Sequence, residues 1–213
     1  MLVGKRMKRE PVTVTREESL RKARELLDSR RIRHLPVVEG KRLVGIITDR
    51  DIQQASPSST APISDQDLSE FLERVKVGEV MVSEVVTTSP FTSIEEAAKV
   101  MQERKIGCLP VLDRGELVGI ITETDILGVL VEVMGIKEAS SRLEVELPDR
   151  PGALATVAQI IKKHNINICS VLTVPSEEPE KRVVLIRVNT INPNPLIRAI
   201  EEAGFRVLPA YEV

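Results

Sequence analysis

The sequence Leu43-Val-Gly-Ile-Ile-Thr-Asp-Arg-Asp-Ile52 decides the fold, because the chain repeats it as Leu117-Val-Gly-Ile-Ile-Thr-Glu-Thr-Asp-Ile126. The two copies lie 74 positions apart, and the same spacing aligns residues 3–52 with 77–126 without a gap. Over that alignment 21 of 50 positions are identical. Because self-similarity at one fixed spacing is the signature of an internal repeat, this part of the chain is a duplicated unit.

Each copy is predicted to fold in the order β-α-β-β-α, from short β-branched runs and apolar residues at helical spacing. In the first copy the expected elements are a strand at 11–14, a helix through Leu20, Ala23, Leu26 and Leu27, strands at 35–38 and 43–47 around the polar turn 39–41, and a helix that starts at Thr48. In the second copy they are a strand at 85–88, a helix through Ile94, Ala97, Ala98 and Met101, a turn at 113–115, and a helix that starts at Thr122.

The segment between the copies is predicted to be a flexible loop followed by a helix. Residues 55–62 are rich in Ser and Pro, which favours a loop. Residues 67–76 then show an amphipathic helical pattern. With the repeat ending near residue 138, we expect domains at 1–76, 77–137 and 138–213.

The C-terminal segment has a different pattern, β-α-β-β-α-β, which predicts a ferredoxin-like layer. The expected elements are a strand at 142–147, a helix from about 149 to 163, a strand at 166–174, a charged hairpin loop at 177–182, a strand at 183–188, a helix at 195–203 stopped by Gly204, and a strand at 205–208. The whole chain is therefore predicted to have a mixed α/β (α+β) fold.

These motifs resemble two known domain families. The motif Gly-h-h-Thr-x-x-Asp (h, apolar) occurs twice, and each copy is preceded in the sequence by h-x-x-Leu-Pro-Val. This pattern resembles a tandem CBS-domain pair, or Bateman module. The run Asp149-Arg-Pro-Gly-Ala-Leu154, followed by Asn165-Ile-Asn-Ile168, resembles an ACT domain. The combination is similar to the acetoin-utilisation (AcuB-type) family. The resemblance implies a pseudo-symmetric CBS pair that binds an adenine nucleotide (AMP, ADP, ATP or a relative) as a regulatory ligand.

The repeated Thr-x-x-Asp motif is where the resemblance implies nucleotide contacts. A helix N-terminus suits a phosphate, and a carboxylate can accept both hydroxyls of a ribose. Asp51 and Asp125 would hold ribose, with Thr48 and Thr122 near the phosphates. The alternative is that each motif is an ordinary capping box at a helix start. The resemblance also implies that backbone near Thr13 and Thr87 faces adenine; its aliphatic walls would be Ile32, Leu35, Ile106 and Leu109.

Basic residues make the two copies unequal. Arg33 and His34 stand where the second copy has Gly107 and Cys108. Because arginine compensates phosphate charge well, one cleft is expected to take a nucleotide better than the other; the sequence does not say which. The run Arg30-Arg31 fits the solvated end of a helix better.

The resemblance of the C-terminal segment to an ACT domain implies an amino-acid site. The resemblance implies that N–H groups near Pro151, Gly152 and Ala153 hold a carboxylate, that Asp149 holds the ammonium group, and that Asn167 adds a hydrogen bond. Such ligands commonly lie between two ACT domains, so this hypothesis requires a homodimer. The alternative is an ordinary helix start, with Asp149 as cap and Pro151 at the first helical position.

Composition narrows the class of function. With 30 basic and 32 acidic residues and 2% aromatics, a nucleic-acid partner is not expected. The two His and two Cys show no metal-ligand spacing, and Cys108 and Cys169 in apolar strands are expected to be buried. No signal peptide or membrane-length apolar segment is found, so a cytoplasmic location is expected.

We therefore expect a regulatory, ligand-sensing protein and no catalytic or metal site. Its expected partners are small-molecule ligands, a second copy of the chain and an unknown downstream protein, with neither nucleic acid nor membrane. A structural dimerisation module without a physiological ligand is the main alternative. An enzyme with an unrecognised site is the more distant one.

Overall fold

The computed structural model describes residues 1–57, 64–136, 139–176 and 178–209, which form two compact units, Met1–Ile126 and Leu127–Val213. Most of the predicted loop at 55–62 lies outside the described residues, and so does the expected boundary at 137/138. Glu177, the first residue of the predicted hairpin loop, lies outside them too. Among the described residues, no helix is long and apolar enough to cross a membrane.

The first copy and the connecting helix have nearly the predicted order. Their elements are a short 3-10 turn (Val3–Lys5), β1 (Lys8–Arg9), α1 (Leu20–Arg30), β2 (His34–Glu39), β3 (Arg42–Thr48), α2 (Asp49–Ala55) and α3 (Asp65–Arg74). Helix α1 begins where the Ser19 hydroxyl accepts a hydrogen bond from Lys22 N–H (3.3 Å), and it ends at Arg31 in the left-handed region. Its apolar face, Leu20, Ala23 and Leu27, is buried as predicted.

The second copy repeats this arrangement. Its elements are α4 (Val77–Val80), α5 (Ile94–Arg104), β4 (Cys108–Asp113), β5 (Glu116–Thr122) and α6 (Glu123–Val133). Helix α5 is capped by Ser93 and ends at Lys105 in the left-handed region, as α1 ends at Arg31. The β4–β5 hairpin has the same register as β2–β3. Both hairpins contain a bulge, directly after Val37 in the first copy and directly after Val111 in the second.

The predicted strands at 11–14 and 85–88 are wrong in extent. Each is reduced to a single parallel bridge, Val14 with Val37 and Thr88 with Val111. Val14 N–H donates to Pro36 O (3.1 Å) and Val14 O accepts from Val38 N–H (2.9 Å). A single rung of this kind places the segment beside the hairpin without forming a ladder.

The two copies exchange their N-terminal segments. Strand β1 pairs with β5 of the second copy, Lys8 opposite Ile120, and Val82 of the second copy forms the equivalent bridge to Ile46 of β3. Hydrogen bonds from Val3 N–H to Thr92 O and from Val77 N–H to Glu18 O (both 2.9 Å) strengthen the exchange. Each copy is therefore completed by the other, and a cleft beside either hairpin contains residues of both.

The C-terminal unit has the predicted β-α-β-β-α-β order. Its elements are β6 (Ser141–Pro148), α7 (Ala153–Lys163), β7 (Ile168–Pro175), β8 (Lys181–Val188), α8 (Asn194–Glu202) and β9 (Arg206–Leu208). The sheet is antiparallel in the order β7-β8-β6-β9. Alternate residues of β6 and β8 bury one face against α7 and α8, with Val157, Ile161 and Ile200 at the centre. The mixed α+β fold is confirmed.

Candidate functional site

Two clefts lie between the repeats, in equivalent places. Cleft A, of about 580 Å³, is lined on one side by Ile46, Thr48 and Asp51 of the first copy and on the other by Val85, Val86 and Ile106 of the second. Cleft B, of about 520 Å³, is lined by Ile120, Thr122 and Thr124 of the second copy and Pro11, Val12 and Ile32 of the first. Ile46, Val85, Val86 and Ile106 correspond through the repeat to Ile120, Pro11, Val12 and Ile32, so the exchanged N-terminal segments build both clefts alike.

The Thr-x-x-Asp motif of cleft A forms a complete capping box. Thr48 donates to Asp51 Oδ2 from its backbone N–H (2.8 Å) and from its hydroxyl (2.7 Å), and Asp51 N–H donates to Thr48 Oγ1 (3.2 Å). The helix-cap alternative is therefore correct as geometry. It leaves Asp51 Oδ1 without a hydrogen bond to any described residue, so the half-buried carboxylate retains one oxygen for a ligand.

The second motif has the same geometry. Thr122 donates to Asp125 Oδ2 from its N–H (2.9 Å) and hydroxyl (2.6 Å), and Asp125 N–H donates back to Thr122 Oγ1 (3.3 Å). Thr122 lines cleft B, whereas Asp125 is not among the residues that line it. The two predicted ribose contacts are thus placed unequally.

The other predicted contacts are placed as follows. Thr13 and Thr87 each lie one residue beyond a lining residue, Val12 in cleft B and Val86 in cleft A. Ile32 and Ile106 do line the clefts. Leu35 and Leu109 were wrongly expected as walls: both are fully buried, with 0% exposure. The reason is strand alternation, because a residue that faces the core turns its side chain away from the cleft.

Arg33 and His34 line both clefts. They follow α1 at the junction between the two copies, and Arg33 O accepts a hydrogen bond from Asp49 N–H (3.3 Å), the first residue of α2. The charge of Arg33 can therefore act on a ligand in either cleft. Arg31, which was assigned to the solvated end of α1, lines cleft B.

Burial sets the electrostatics of the junction. It lowers the pKa of His34 below 6.5, and Arg33 lowers the pKa further against the opposing effects of Asp49, Glu123 and Asp51. In the equivalent position, burial raises the pKa of the Cys108 thiol to about 12, with Glu123 acting in the same direction. Cys108 is buried as predicted, whereas Cys169 is only half-buried. Both groups favour their neutral forms at neutral pH.

Lys8 and Arg9 of β1 were missed from the sequence, and both line cleft B. The repeat spacing carried a signal for them, since Lys8 and Arg9 stand where the second copy has Val82 and Ser83. That signal is useful only once the exchange of N-terminal segments is known. No group of His, Cys, Asp and Glu side chains suited to a metal ion occurs among the described residues.

The start of α7 differs from the expectation. The helix begins at Ala153 after Gly152, which has φ +91°, and no side chain caps it. Asp149 does not cap the helix, because its Oδ1 accepts from Arg182 Nε (2.9 Å) at the start of β8. Pro151 is likewise outside the helix and not at its first position. Gly152 turns the chain, so the helix begins at Ala153, two residues later than the predicted first position at Pro151.

Asn167 lies far from this turn within one chain. It precedes β7, its carbonyl accepts from Asn189 N–H (2.9 Å), and its side chain is exposed. Strand pairing places Ile168 opposite Val188, at the other end of β8 from Lys181 and Pro148. Helix α7, about 16 Å long at 1.5 Å per residue, separates Asn167 from Gly152. One ACT unit therefore does not bring the five predicted residues together.

Comparison with known proteins identifies both halves of the chain. The CBS domain family matches residues 3–58 and 77–132, and the ACT domain family matches residues 141–205. A CBS domain-containing protein of Dictyostelium discoideum is 38% identical over 136 residues, 63% of this chain and 94% of that protein. The inosine-5'-monophosphate dehydrogenase of Korarchaeum cryptofilum is 30% identical over 76% of this chain, which spans only 33% of that enzyme.

Solved structures show the same similarity. A Vibrio cholerae structure named as an acetoin utilization protein (AcuB) superposes with a TM-score of 0.54 at 34% identity, over 66% of this chain and 98% of its own. The CBS domain pair of protein MJ0100, in complex with 5'-methylthioadenosine and S-adenosyl-L-methionine, gives a TM-score of 0.51 at 28% identity, over 61% of this chain and 95% of its own.

Proposed function

This chain belongs to the CBS-domain family, with a tandem CBS pair followed by a C-terminal ACT domain, and on that premise we propose that it is a regulatory protein that senses an adenine nucleotide. AMP, ADP, ATP or a related compound would bind between the two copies. The ligand is regulatory, and no obligatory cofactor or catalytic step is proposed. The proposed domains are 1–76, 77–137 and 138–213.

The observation that carries this proposal is the pair of equivalent clefts, each with an aliphatic wall and a Thr at a helix start. An adenine ring between Val86 and Ile106, or between Val12 and Ile32, would be held by aliphatic surfaces, as a chain with 2% aromatics requires. Volumes of about 580 and 520 Å³ fall in the usual range for small-molecule sites. The free oxygen of Asp51 suits a ribose hydroxyl.

Thermal-shift measurements with AMP, ADP, ATP and adenosine test the proposal. A ligand at 100 times its Kd stabilises the folded chain by about 2.7 kcal/mol, which is easily detected. Asp51→Ala should abolish stabilisation by the ligand of cleft A. The matched control is Asp67→Ala, because Asp67 makes the same capping box with Ser64 at α3 but lines neither cleft. If no adenine compound stabilises the chain, the proposal fails.

A homodimer with an amino-acid site at the ACT domains is the second part of the proposed function. Four exposed apolar side chains follow one another at three-residue spacing along and just beyond α6, which supports association between copies: Leu127, Leu130, Val133 and Ile136. Because Asn167 and Gly152 lie at opposite ends of α7, a ligand that touches both would need two chains. Light scattering with and without amino acids tests this; a monomer under all conditions would exclude it.

The alternative of a dimerisation module without a ligand makes opposite predictions. It requires a stable dimer whose melting temperature is unchanged by adenine compounds and amino acids. Turnover of a bound nucleotide, followed by chromatography of the products, would instead support an enzyme. The transmission of a ligand signal also requires that the ligand binds one conformation of the protein more tightly than another. The downstream protein would then recognise the favoured conformation.

A further inference from the structure

The two clefts have equivalent shapes but different charges. Cleft B is lined by four basic residues, Lys8, Arg9, Arg31 and Arg33, against one acidic residue, Glu10. Among the described carboxylates, none lies within salt-bridge distance of these four basic groups. Their charges are therefore not neutralised by ion pairs, and cleft B presents a net positive charge to a ligand.

Cleft A has the opposite balance. Its basic residues, Arg33, Arg50 and Lys105, are outnumbered by four acidic ones. The acidic residues are Asp49, Asp51, Glu84 and Glu123. A polyphosphate in cleft A would thus meet three cations and four carboxylates, and repulsion between like charges would oppose its binding.

The difference comes from a few repeat positions. Where cleft A has Val82, cleft B has Lys8, and the carboxylates of Asp49, Asp51 and Glu123 line cleft A only. The exchange of N-terminal segments brings β1, and with it Lys8 and Arg9, to the edge of β5 beside cleft B. The first copy thus supplies all four basic residues of cleft B, although the Thr122 motif belongs to the second.

Resting on the proposed adenine-nucleotide function, we propose that the clefts select ligands by charge. Cleft B takes the phosphorylated nucleoside, with Arg31, Arg33, Lys8 and Arg9 around its phosphates. Cleft A takes an adenosyl compound without phosphate, uncharged or cationic, with Asp51 at its ribose. Two different metabolites would then be read by one CBS pair, and Arg33 and His34, which line both clefts, lie between them.

Arg31 and Lys105 provide a matched test. They occupy equivalent positions after α1 and α5, with φ +51° and +54°, and each lines one cleft only. Glutamine at either position removes one positive charge, and because both residues have left-handed backbone conformations, the substitution has the same effect on the backbone at both. Isothermal titration of the unsubstituted chain and of the variants Arg31→Gln and Lys105→Gln would use ATP, S-adenosyl-L-methionine and tripolyphosphate. Lys8→Gln is a second cleft B variant, on an exposed strand position.

We expect Arg31→Gln and Lys8→Gln each to weaken ATP binding about tenfold, the usual effect of losing one charged hydrogen bond. Lys105→Gln should leave ATP binding within twofold. Binding of S-adenosyl-L-methionine should be unchanged in Arg31→Gln and weakened by Asp51→Asn. Raising the salt concentration should weaken ATP binding more than binding of the adenosyl compound, because ATP carries several negative charges and salt screens their attraction to the basic residues of cleft B.

Equal weakening of ATP binding by Lys105→Gln and Arg31→Gln would overturn the charge selection while leaving adenine sensing intact. Tripolyphosphate separates the two failures, since it carries the phosphates without adenine. If tripolyphosphate binds and Arg31→Gln weakens it, but no adenine compound binds, the proposed function fails and the anionic selectivity of cleft B remains. If neither tripolyphosphate nor ATP binds, the charge selection is wrong.

Discussion

The imidazole of His34 lies directly against the backbone of Gly107, where a β-carbon would come within 3.1 Å of His34 Nε2 and 3.3 Å of Cε1. Gly107 is the repeat equivalent of Arg33, and His34 is the equivalent of Cys108. The His34 side chain of the first copy thus occupies the space that a side chain at position 107 of the second copy would need. The inequality of the copies is a packing relation as well as a difference in charge.

Gly107→Ala should therefore destabilise the first unit and disturb both clefts. The added methyl group forces the His34 ring to move by a few tenths of an ångström, and overpacking of this kind costs about 1 kcal/mol or more. The melting temperature should fall by several degrees, and ligand binding in both clefts should weaken because His34 lines both.

Gly128→Ala is the control for Gly107→Ala. Gly128 lies within α6, and a β-carbon there would meet nothing within 4 Å. Alanine should stabilise the helix by about 1 kcal/mol and leave the clefts unchanged. If Gly107→Ala raised the melting temperature as Gly128→Ala does, the close contact with His34 would not exist in solution.

The pKa of His34 should be measurably low in the folded chain. Because burial and Arg33 lower it below 6.5, the unfolded chain takes up the proton first as the pH falls. The stabilising contribution of neutral His34 is therefore complete above about pH 7, begins to be lost as the pH falls below 6.5, and is lost in full once the pH has fallen through the lower pKa of the folded chain. An NMR titration should give a midpoint below 6.5 for the signal that disappears in His34→Gln. A midpoint at or above 6.5 would contradict the burial of this ring.

The helices and the hairpin strands of each repeat could be predicted because their signals are local. Leu20, Ala23 and Leu27 mark α1, and the Thr-x-x-Asp motif marks the start of α2 by the capping box it forms. The clefts could be located only approximately. Strand β1 pairs with β5, Lys8 opposite Ile120, and two residues more than a hundred positions apart leave no periodic signature.

The exchange of segments also explains why the charge of each cleft could not be predicted from the sequence. Lys8 and Arg9 belong to the first copy yet line cleft B beside Thr122.

In the ACT unit the missed feature was conformational. Gly152 at φ +91° redirects the chain after Pro151, and a proline followed by glycine is compatible with either a helix start or a turn.

The exchanged segments should respond unequally to alanine at two equivalent glycines. A β-carbon at Gly119 would lie 2.9 Å from the carbonyl oxygen of Lys8 and 2.6 Å from Met7 Sδ. At Gly45 the closest atom is Met81 Sδ at 2.5 Å, and the Val82 carbonyl is 3.1 Å away. A methionine end can move, whereas a backbone carbonyl moves only with its strand. We expect Gly119→Ala to cost about 2–3 kcal/mol and Gly45→Ala about 1 kcal/mol.

Denaturant unfolding of the two variants measures this difference. Because Gly119→Ala pushes against β1, it should also weaken a ligand of cleft B more than a ligand of cleft A. A larger loss in Gly45→Ala would show that the strand exchange is looser on the Lys8 side than the backbone distances indicate.

In the ACT unit, Gly152→Ala should destabilise α7 far more than Asp149→Ala. Alanine at φ +91° is strained by about 1–2 kcal/mol, whereas Asp149 makes an exposed ion pair with Arg182, worth less than about 1 kcal/mol. Hydrogen exchange of the α7 amides, followed by mass spectrometry, should therefore accelerate severalfold in Gly152→Ala and little in Asp149→Ala. Gly204→Ala, with φ +87° at the end of α8, is the control, because it should accelerate exchange in α8. Equal acceleration of α7 in Asp149→Ala and Gly152→Ala would mean that the Asp149 carboxylate caps the helix after all.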